Sequence, residues 1–450
     1  MNLPEAFTDR MQMQLGAEAY AEFEAALMED SPVSIRVNPN KLNPLNGLEK
    51  IGWCKNGHFL EKRPVFSSDP LWHAGAYYVQ EASSMMLEQA FKTARSHLSG
   101  PVKILDLCAA PGGKSTHLAS LCEEGDILVS NEVIRSRVSV LAENLRKHGY
   151  ANTIITNADS SAFERCGEVF DLVVVDAPCS GEGLFRKDPA AVNEWSPENI
   201  NTCELRQKRI LDSVVECLKP GGMLIYSTCT YNPGENEAQV ESLCRQGFEM
   251  FPFLVNGTEH STYQCYPHRF RGEGFFIALL RKCNSNGRSG TNTSKNPLKR
   301  VKPQNEWTDL INTPLPVYGF ENQLLTGNEE LFEFLNTHLG GIYCHSAGTS
   351  LGHLKDKHFT PSEYLPFSLL LARERFNEMA LDQASALKYL SKNPLPHKGA
   401  EKGYLLLSFR GTVIGFGKYA GNRINNVFPA EWKLRTMPSE SNWFCLTDLS

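Results

Sequence analysis

Between residues 100 and 283, short runs of β-branched and aliphatic residues alternate with stretches of helical periodicity. In the longest such stretch, Val138, Leu141, Ala142 and Leu145 share one helical face, and Gly149 stands where a C-terminal cap belongs. The pattern predicts a mostly parallel sheet covered on both faces, because helices that separate strands form right-handed crossovers. Ligands bind at the carboxyl ends of such strands. The predicted strands are 102–107, 127–131, 153–157, 170–176, 223–228 and 275–280.

The strongest change in composition lies at residues 284–305, where polar, glycine and proline residues replace apolar periodicity. These residues predict a linker that is either a solvated tether or a nucleic-acid contact. Beyond it, 330–338 and 373–390 predict helices, and 404–410 and 413–419 predict strands. The linker contains five basic residues and no acid: Arg288, Lys295, Lys299, Arg300 and Lys302.

Composition and charge exclude several classes of protein. With 41% hydrophobic residues the chain can form a core, and it contains neither a membrane-spanning run nor an export signal, so we expect no membrane. The net charge is −6, and residues 1–30 alone carry all of it, so the remainder sums to zero. Thirteen cysteines without a C-x-x-C pair argue against structural zinc, any other bound metal and a disulfide framework, and favour the cytoplasm.

The first predicted strand continues into LDLCAAPGGKS, residues 105–115. Small residues and a glycine turn between a strand and a helix allow a ligand to approach the backbone and the helix N-terminus. The segment is neither a Walker A loop nor G-x-G-x-x-G. It predicts a nucleotide-type cradle.

An acid follows each of the next three strands, namely Glu132, Asp159 and Asp176. Because parallel strands end at one edge of the sheet, these carboxylates are expected to converge. An acid after the second strand is placed to accept hydrogen bonds from ribose hydroxyls.

Two cysteines also follow strands. Cys179 lies in DAPCSGEG and Cys229 in STCT, each beside proline, serine or threonine in a strand-end loop. That setting is typical of reactive thiols rather than of buried filler. No histidine nearby in sequence suggests a protease dyad.

These motifs resemble the Sun/Fmu-type RNA cytosine-C5 methyltransferases. AAPGGKS, DAPCSGEG and STCT occur in the family's order and spacing, and SIRVNPNK (34–41) and YYVQEASSM (77–85) resemble its RNA-holding N-terminal segments. GEGLFRKDP and NNVFPAEWKLR resemble most the RsmF (YebU) branch, which methylates 16S ribosomal RNA. The resemblance implies a Rossmann-like seven-stranded α/β methyltransferase core at 96–283. An α+β RNA-binding region at 1–95 would precede it, and a PUA-like RNA-binding domain at 306–450 would follow the linker.

The resemblance also implies site residues. Cys229 would be the nucleophile, Cys179 would assist product release, and Asp176 would lie near the methionine end and the target base. Glu132 would hold the ribose and Asp159 the adenine side of S-adenosylmethionine. The cofactor loop would comprise Cys108, Ala109, Ala110, Pro111, Gly112, Gly113 and Lys114.

The chemistry explains the need for a thiol. Cytosine C5 is a poor nucleophile, and thiolate addition at C6 makes it enamine-like before it accepts a methyl group. Asp176 could stabilise the ring at N3 if it is protonated or shares a proton with the base. On the residues alone, Cys179 could equally be the nucleophile; only the family pattern favours Cys229.

The target base must be unpaired or flipped, since a base in a stem is unreachable. Phe185, Arg186, Lys187 and Trp195 are candidates for stacking and phosphate contacts, or are ordinary packing and solvated charge. Residues 411–435 carry a local charge of +3, from Lys418, Arg423, Lys433 and Arg435 against Glu431.

The expected partner is therefore RNA, either 16S ribosomal RNA or the small ribosomal subunit, bound by a monomer. Transfer RNA is the main rival substrate, because the same motifs serve both RNA classes. A catalytically idle RNA-binding assembly factor is a further alternative, against which the presence of both cysteines beside an intact glycine loop argues.

Overall fold

A computed structural model describes residues 2–285, 287, 290, 292–295, 297–356, 358–396 and 402–449. The N-terminal region contains α1 (Glu5–Leu15), α2 (Ala17–Leu27), α3 (Pro70–His73), β1 (Val33–Val37), β2 (Gly57–Leu60) and β3 (Tyr77–Val79). The helices of the core are α4 (Leu87–Ser96), α5 (Gly113–Leu121), α6 (Arg135–His148), α7 (Pro189–Glu194), α8 (Pro197–Cys217) and α9 (Glu237–Arg245). Its strands are β4 (Lys103–Asp106), β5 (Ile127–Asn131), β6 (Thr153–Asn157), β7 (Phe170–Asp176), β8 (Leu218–Thr228), β9 (Phe248–Met250), β10 (Phe253–Val255), β11 (Thr258–His260), β12 (Thr262–Cys265) and β13 (Phe275–Lys282).

The C-terminal part contains α10 (Asn305–Thr308), α11 (Glu329–His338) and α12 (Gln383–Leu390). Its strands are β14 (Lys299–Arg300), β15 (Val317–Phe320), β16 (Gln323–Thr326), β17 (Tyr343–Ala347), β18 (Thr349–Lys355), β19 (His358–Pro361), β20 (Asn377–Ala380), β21 (Leu395–Pro396), β22 (Gly403–Phe409), β23 (Thr412–Tyr419) and β24 (Arg423–Asn426).

The predicted parallel sheet forms the centre of the molecule. Strands β8, β7, β4, β5 and β6 are parallel neighbours in this order, and antiparallel β13 follows β8. The chain reverses its direction of travel across the sheet between β4 and β7. Such a point opens a crevice at the carboxyl ends of the strands, where ligands bind. The parallel sheet predicted from the alternation of runs and helices, and the Rossmann-like core that the resemblance implies, are therefore confirmed.

Local patterns account for most core elements. The strands β5, β6 and β7 have the predicted bounds, and their side chains are almost all buried. Helix α6 buries the predicted face of Val138, Leu141, Ala142 and Leu145. Gly149 caps it with φ +86°, and a Cβ there would lie 2.1 Å from the carbonyl oxygen of Phe367. Only glycine combines that left-handed conformation with so close an approach of the C-terminal part.

The sheet has nine strands among the described residues instead of seven. Both β9 and β12 pair with β13, and β17 adds antiparallel to β6. The last strand lies within the segment 306–450 that the sequence sets apart from the core. Because β6 would otherwise be an unpaired edge, β17 satisfies its backbone groups.

The N-terminal region consists of a helical hairpin and a three-stranded sheet, in the order β2–β1–β3. The hairpin packs on the core, since Phe7 lies 5.0 Å from Phe185 and Phe23 lies 5.1 Å from Tyr231 between ring centroids. Although acids dominate the exposed surface of the hairpin, its apolar face thus covers the loops that follow β7 and β8.

Two five-stranded sheets make up the rest of the C-terminal part, in the orders β14–β15–β16–β18–β19 and β20–β22–β23–β24–β21. The prediction of one helix over 373–390 is wrong in its first half, where β20 pairs in parallel with β22. Asp382 accepts a hydrogen bond from Ser385 N at 2.8 Å, so the helix begins only at 383. The predicted linker also contains a strand, β14.

The second of these sheets shares a hydrophobic core with the N-terminal region. Ile35, Leu71 and Tyr77 pack in one buried cluster with Leu387 and Leu407. Polar contacts join the same parts: Leu446 N donates to Asp69 Oδ2 at 2.9 Å, and Thr412 Oγ1 donates to the Lys41 carbonyl at 3.1 Å. The two ends of the chain thus form one packed unit beside the methyltransferase sheet.

Candidate active site

A cavity of about 460 Å³ opens at the carboxyl ends of the parallel strands. All three predicted acids and both predicted thiols line it, although they come from four different loops. Convergence of this kind follows from parallel topology, because every strand ends at the same edge. The predicted residues that line the cavity are Cys108, Ala110, Glu132, Asp159, Asp176, Cys179 and Cys229.

The rest of the AAPGGKS loop lies behind the cavity. Gly112 has φ +110° and begins α5, and a Cβ there would lie 3.2 Å from Asn144 Cβ. A Cβ at Gly113 would lie 3.1 Å from the Tyr78 ring. The glycines therefore permit close packing of α6 and Tyr78 in this structure rather than opening the backbone to a ligand. Of the proposed cofactor loop, Ala109, Pro111, Gly112, Gly113 and Lys114 are not among the residues that line the cavity.

Glu132 is buried at the end of β5, and local groups hold its carboxylate. The backbone N–H of Ile134 donates to Oε1 at 2.8 Å, and Arg137 NH1 lies 3.4 Å from Oε2. Both partners come from the same turn, so the orientation of Glu132 is set within six residues. The aliphatic side chains of Val133 and Ile134 continue the wall beside it.

Asp159 begins the turn after β6 and is more open. Ser161 N donates to its carboxylate at 3.2 Å, and Arg209 NH2 lies 3.2 Å from Oδ2. Partial burial acts to raise the pKa of Asp159, but hydrogen bonds from Ser161 and the charge of Arg209 bring it below its ordinary value. The group is thus a carboxylate at neutral pH and available to a donor in the cavity.

Lys114 and Asp176 form an ion pair on the thiol side of the cavity. Lys114 Nζ lies 2.8 Å from Asp176 Oδ2, and Ser227 Oγ donates to Oδ1 at 2.8 Å. Burial opposes the charge of Lys114, but Asp176 raises the pKa of Lys114 above its ordinary value. Asp176 is therefore paired with the cation of Lys114.

The two thiols lie side by side, with Sγ atoms of Cys179 and Cys229 only 3.0 Å apart. Cys229 N also donates to Cys179 Sγ at 3.3 Å. The hydrogen bond with Cys229, together with burial, raises the pKa of Cys179 well above its ordinary value. Cys179 is consequently held as a neutral thiol that can donate a proton to its neighbour.

Sequence reasoning missed two buried carboxylates in the same loops. Glu182 accepts hydrogen bonds from Trp195 Nε1 at 2.8 Å and Tyr231 N at 3.1 Å, and pairs with Arg10 at 2.7 Å. Glu235 binds the loop that holds Cys179. Each acid stands in a segment of small residues, SGEG and PGENE. An acid in such a tight turn needs hydrogen-bond partners, so this sequence pattern could have pointed to both residues.

The four residues proposed for stacking and phosphate contacts at the mouth of the site differ in their surroundings. Phe185 and Trp195 are buried against the N-terminal hairpin, and Arg186 Nε donates to Glu273 at 3.0 Å. For these three, the interpretation as packing is correct. Only Lys187 is exposed.

The basic residues predicted to contact RNA lie away from the cavity lining. In the linker, Arg300 pairs with Glu329 at 2.8 Å, Lys295, Lys299 and Lys302 are exposed, and Arg288 lies outside the described residues. The four predicted cations near the C-terminus are all exposed: Lys418 and Arg423 in strands β23 and β24, and Lys433 and Arg435 in the segment after β24.

Three side chains of metal-binding type meet elsewhere in the described part of the chain. Donor atoms of Cys54, Glu88 and His117 lie within 4.8 Å of one another. Glu88 already accepts from Lys92 Nζ at 2.6 Å and contacts His117 Nε2 at 3.0 Å. The group therefore stabilises the contact between α4, α5 and the β2 turn. No helix among the described residues combines the length and apolar character needed to cross a membrane.

Three family models match the chain. Residues 98–281 match 16S rRNA methyltransferase RsmB/F, residues 3–82 match the N-terminal domain of 16S rRNA methyltransferase RsmF, and residues 376–434 match the methyltransferase RsmF PUA domain. The PUA match covers β20 to β24 but neither the sheet β14–β15–β16–β18–β19 nor β17 at the edge of the core sheet. The N-terminal and PUA-like regions expected from the resemblance are thereby confirmed.

Curated relatives match over nearly the full length. Ribosomal RNA small subunit methyltransferase F of Aliivibrio fischeri is 31% identical, over 95% of this chain and 97% of that protein. The protein of the same name from Pectobacterium atrosepticum is 32% identical, over 96% of each chain.

Among solved structures, a methyltransferase homologue from Pyrococcus horikoshii is similar at a TM-score of 0.52 and 29% identity, covering 62% of this chain and 95% of that one. NSun6 from the same organism has the same fold, at a TM-score of 0.52 and 20% identity, over 63% of this chain and 99% of that one. The fold, the site and the full-length relatives agree: the chain is an enzyme of the RsmF branch of the RsmB/F ribosomal RNA methyltransferase family.

Proposed function

We propose that this protein methylates C5 of a cytosine in 16S ribosomal RNA, with S-adenosylmethionine as the methyl donor and Cys229 as the covalent nucleophile. The observation that carries the proposal is the pair of thiols 3.0 Å apart, which shares one cavity with Asp176 and the strand-end acids. The names of the full-length relatives support ribosomal RNA of the small subunit as the substrate.

The residues of the cavity fit the cofactor. Two carboxylates, Glu132 and Asp159, are acceptors for the hydroxyl and amine donors of a nucleoside, and Val133, Ile134 and Ile210 offer apolar walls to a base. When bound, S-adenosylmethionine supplies a methyl group attached to positively charged sulfur. Cys108 and Ala110 line the same space, and Asp176 is proposed at the end nearer the thiols.

Cys229 is proposed to add as a thiolate to C6 of the target cytosine, which forms the S–C6 bond and moves an electron pair towards C5. The Lys114–Asp176 pair lies beside the same cavity and would orient the base at its N3 edge. The charge that develops at N3 on attack needs a proton donor there, which is Lys114 in this arrangement, or Asp176 if it is protonated or shares a proton with the base.

Product release requires loss of the C5 proton and cleavage of the C6–S bond. Cys179 is proposed to pass its proton to Cys229 Sγ, 3.0 Å away, as the C6–S bond breaks, and to take up the C5 proton in exchange; its raised pKa keeps a proton on it between turnovers.

Paired substitutions test the assignment. Cys229→Ala should abolish all covalent protein–RNA complex on denaturing gels, whereas Cys179→Ala should accumulate it. The opposite pair of results would make Cys179 the nucleophile.

The substrate is tested with labelled S-adenosylmethionine and three unmodified RNAs: assembled small subunits, naked 16S RNA and bulk transfer RNA. Bisulfite sequencing locates the product. Label at one cytosine of the small subunit supports the proposal, and label only in transfer RNA overturns the substrate while keeping the chemistry. No label together with no cofactor binding in a titration would favour an idle assembly factor.

We further propose that the C-terminal sheet of β20 to β24 binds RNA and that the protein acts as a cytoplasmic monomer. All thirteen cysteines are free thiols, which fits a reducing compartment. Removing residues 306–450 would also remove β17 from the core sheet and part of the shared N-terminal core, so deletion is a poor test. Alanine at Lys418, Arg423, Lys433 and Arg435 tests RNA affinity with the core intact.

A further inference from the structure

The geometry points to Glu235 as a positioning residue that holds the loops of Cys179 and Cys229 at the separation which the reaction needs. The inference rests on the proposed function, because it assigns a role within the same site. It concerns a side chain that is not among the residues lining the cavity and is 0% exposed, so Glu235 acts through other groups.

The carboxylate of Glu235 binds the loop after β7 on both sides of Cys179. Ser180 donates to it twice, from N to Oε1 at 2.8 Å and from Oγ to Oε2 at 2.5 Å. Gln207 Nε2 donates to Oε1 at 3.2 Å and to the carbonyl of Pro178 at 3.1 Å. The residues before and after Cys179 are therefore anchored to one carboxylate.

The same residue is anchored to the loop after β8. Tyr226 OH donates to the Glu235 carbonyl at 2.6 Å, and Thr230 Oγ1 lies 2.9 Å from Ser180 Oγ. Cys229 precedes Thr230, and its own carbonyl accepts from Gly183 N at 2.8 Å. Because Glu235 is bonded to both loops, a shift of Glu235 would change the distance between the two thiols.

The burial of Glu235 costs the folded state stability. Burial raises the pKa of Glu235, and the hydrogen bonds from Ser180 oppose that rise. A buried carboxylate without a cationic partner loses hydration that its hydrogen bonds only partly replace. What it provides is orientation: two acceptors with fixed directions can hold a backbone N–H and a hydroxyl of the opposite loop at once. A displacement of about 1 Å in such a site can cost roughly 100-fold in rate.

Glu235→Gln tests this, because glutamine keeps the size but offers one acceptor in place of two. The expected result is a 10- to 100-fold lower kcat, while KM for RNA and Kd for S-adenosylmethionine stay within about twofold. Glu235→Asp should recover part of the loss. Glu241→Gln is the matched control, since Glu241 lies on neighbouring α9, is exposed, and pairs with the exposed Arg245 at 3.8 Å.

A second measurement does not depend on the RNA reaction. Alkylation of Cys179 and Cys229 by iodoacetamide, followed by mass spectrometry across pH, reports how the two thiols share protons. Glu235→Gln should make the two pH profiles more alike, because a longer Sγ–Sγ distance weakens their hydrogen bond. The control should keep the wild-type profiles.

A double-mutant cycle with Ser180→Ala distinguishes a positioning role of Glu235 from an effect on folding. If Glu235 acts through Ser180, the double variant should lose little more kcat than either single variant. The inference would be overturned if Glu235→Gln had the wild-type kcat and the wild-type alkylation profiles. It would also be overturned if the losses of kcat in the two single variants added up in the double variant and matched the fraction of unfolded protein. If Cys179→Ala accumulates no RNA adduct and wild type transfers no methyl group to RNA while the alkylation profiles still shift, the proposed function fails and the positioning role stands.

Discussion

The two sides of the cavity are built differently. On the acid side, the hydrogen bonds to Glu132 and Asp159 come from groups that follow them closely in sequence, Ile134 and Ser161, and the more distant partner of Asp159, Arg209, is an exposed side chain. On the thiol side, Glu182 reaches Arg10 across 172 residues and Ser180 reaches Glu235 across 55. Local hydrogen bonds leave the acids accessible to a ligand, whereas long-range buried bonds make the thiol side rigid. One wall of the cofactor site can therefore be formed by local turns, whereas the nucleophile is positioned by contacts between residues far apart in the sequence.

The largest effect should come from breaking the thiol side at Glu182. Glu182→Ala leaves Arg10, Trp195 Nε1 and Tyr231 N without their acceptor, so we expect a loss of about 3–5 kcal/mol in the free energy of unfolding. Urea denaturation measures it. Glu194→Ala, an exposed position on α7, should change stability by less than about 0.5 kcal/mol. Equal stability of the two variants would show that the Glu182 contacts do not stabilise the fold.

A pH dependence should arise behind the cavity, at Asp106. Burial, with the charge of Asp176, raises the pKa of Asp106 from 3.8 to about 7, against a hydrogen bond from Ser115. The folded state therefore keeps this proton more tightly than the unfolded state. Its contribution to stability is present below about pH 4 and is lost as pH rises to about 7, by at most about 4 kcal/mol at roughly 1.4 kcal/mol per unit.

Asp106→Asn tests whether the contribution of Asp106 to stability falls as pH rises. Urea denaturation between pH 4 and pH 8 should show the variant gaining stability relative to wild type as pH rises to about 7, with a constant difference above that. Parallel curves for the two proteins would contradict the raised pKa.

On the acid side, Glu132→Gln should weaken cofactor binding with little effect on the fold. Loss of a charged hydrogen-bond acceptor costs about 1.5–3 kcal/mol, or roughly 10- to 150-fold in Kd for S-adenosylmethionine. Isothermal titration calorimetry measures this, and Glu124→Gln, at an exposed position in the turn before β5, is a control that should bind as wild type. An unchanged Kd for Glu132→Gln would remove Glu132 from the cofactor site.

The smallest effect is expected at Asp159, which is 44% exposed at its side chain. Asp159→Asn keeps the turn but loses the charge, so Kd should rise only a few-fold and stability should change little. The lowered pKa of Asp159 implies that any stability it adds is present above its unfolded pKa and is lost as pH falls. An effect as large as that of Glu132→Gln would show that the two acids contribute equally.

The sequence by itself determined the strands β5, β6 and β7, helix α6 with its Gly149 cap, and the edge of the sheet where the acids and thiols meet. These features depend on apolar periodicity and on parallel topology, and both can be read from neighbouring residues. The Sun/Fmu resemblance added the family and the roles of the two cysteines.

Only the tertiary structure decided which groups become partners. The Lys114–Asp176 pair, the buried Glu182 and Glu235, the addition of β17 to β6, and the core shared by both ends of the chain join residues far apart in sequence. No local pattern encodes such pairs, because packing of whole elements brings them together. For the same reason the helix predicted over 373–390 was wrong in its first half: pairing with β22 outweighed the helical periodicity there.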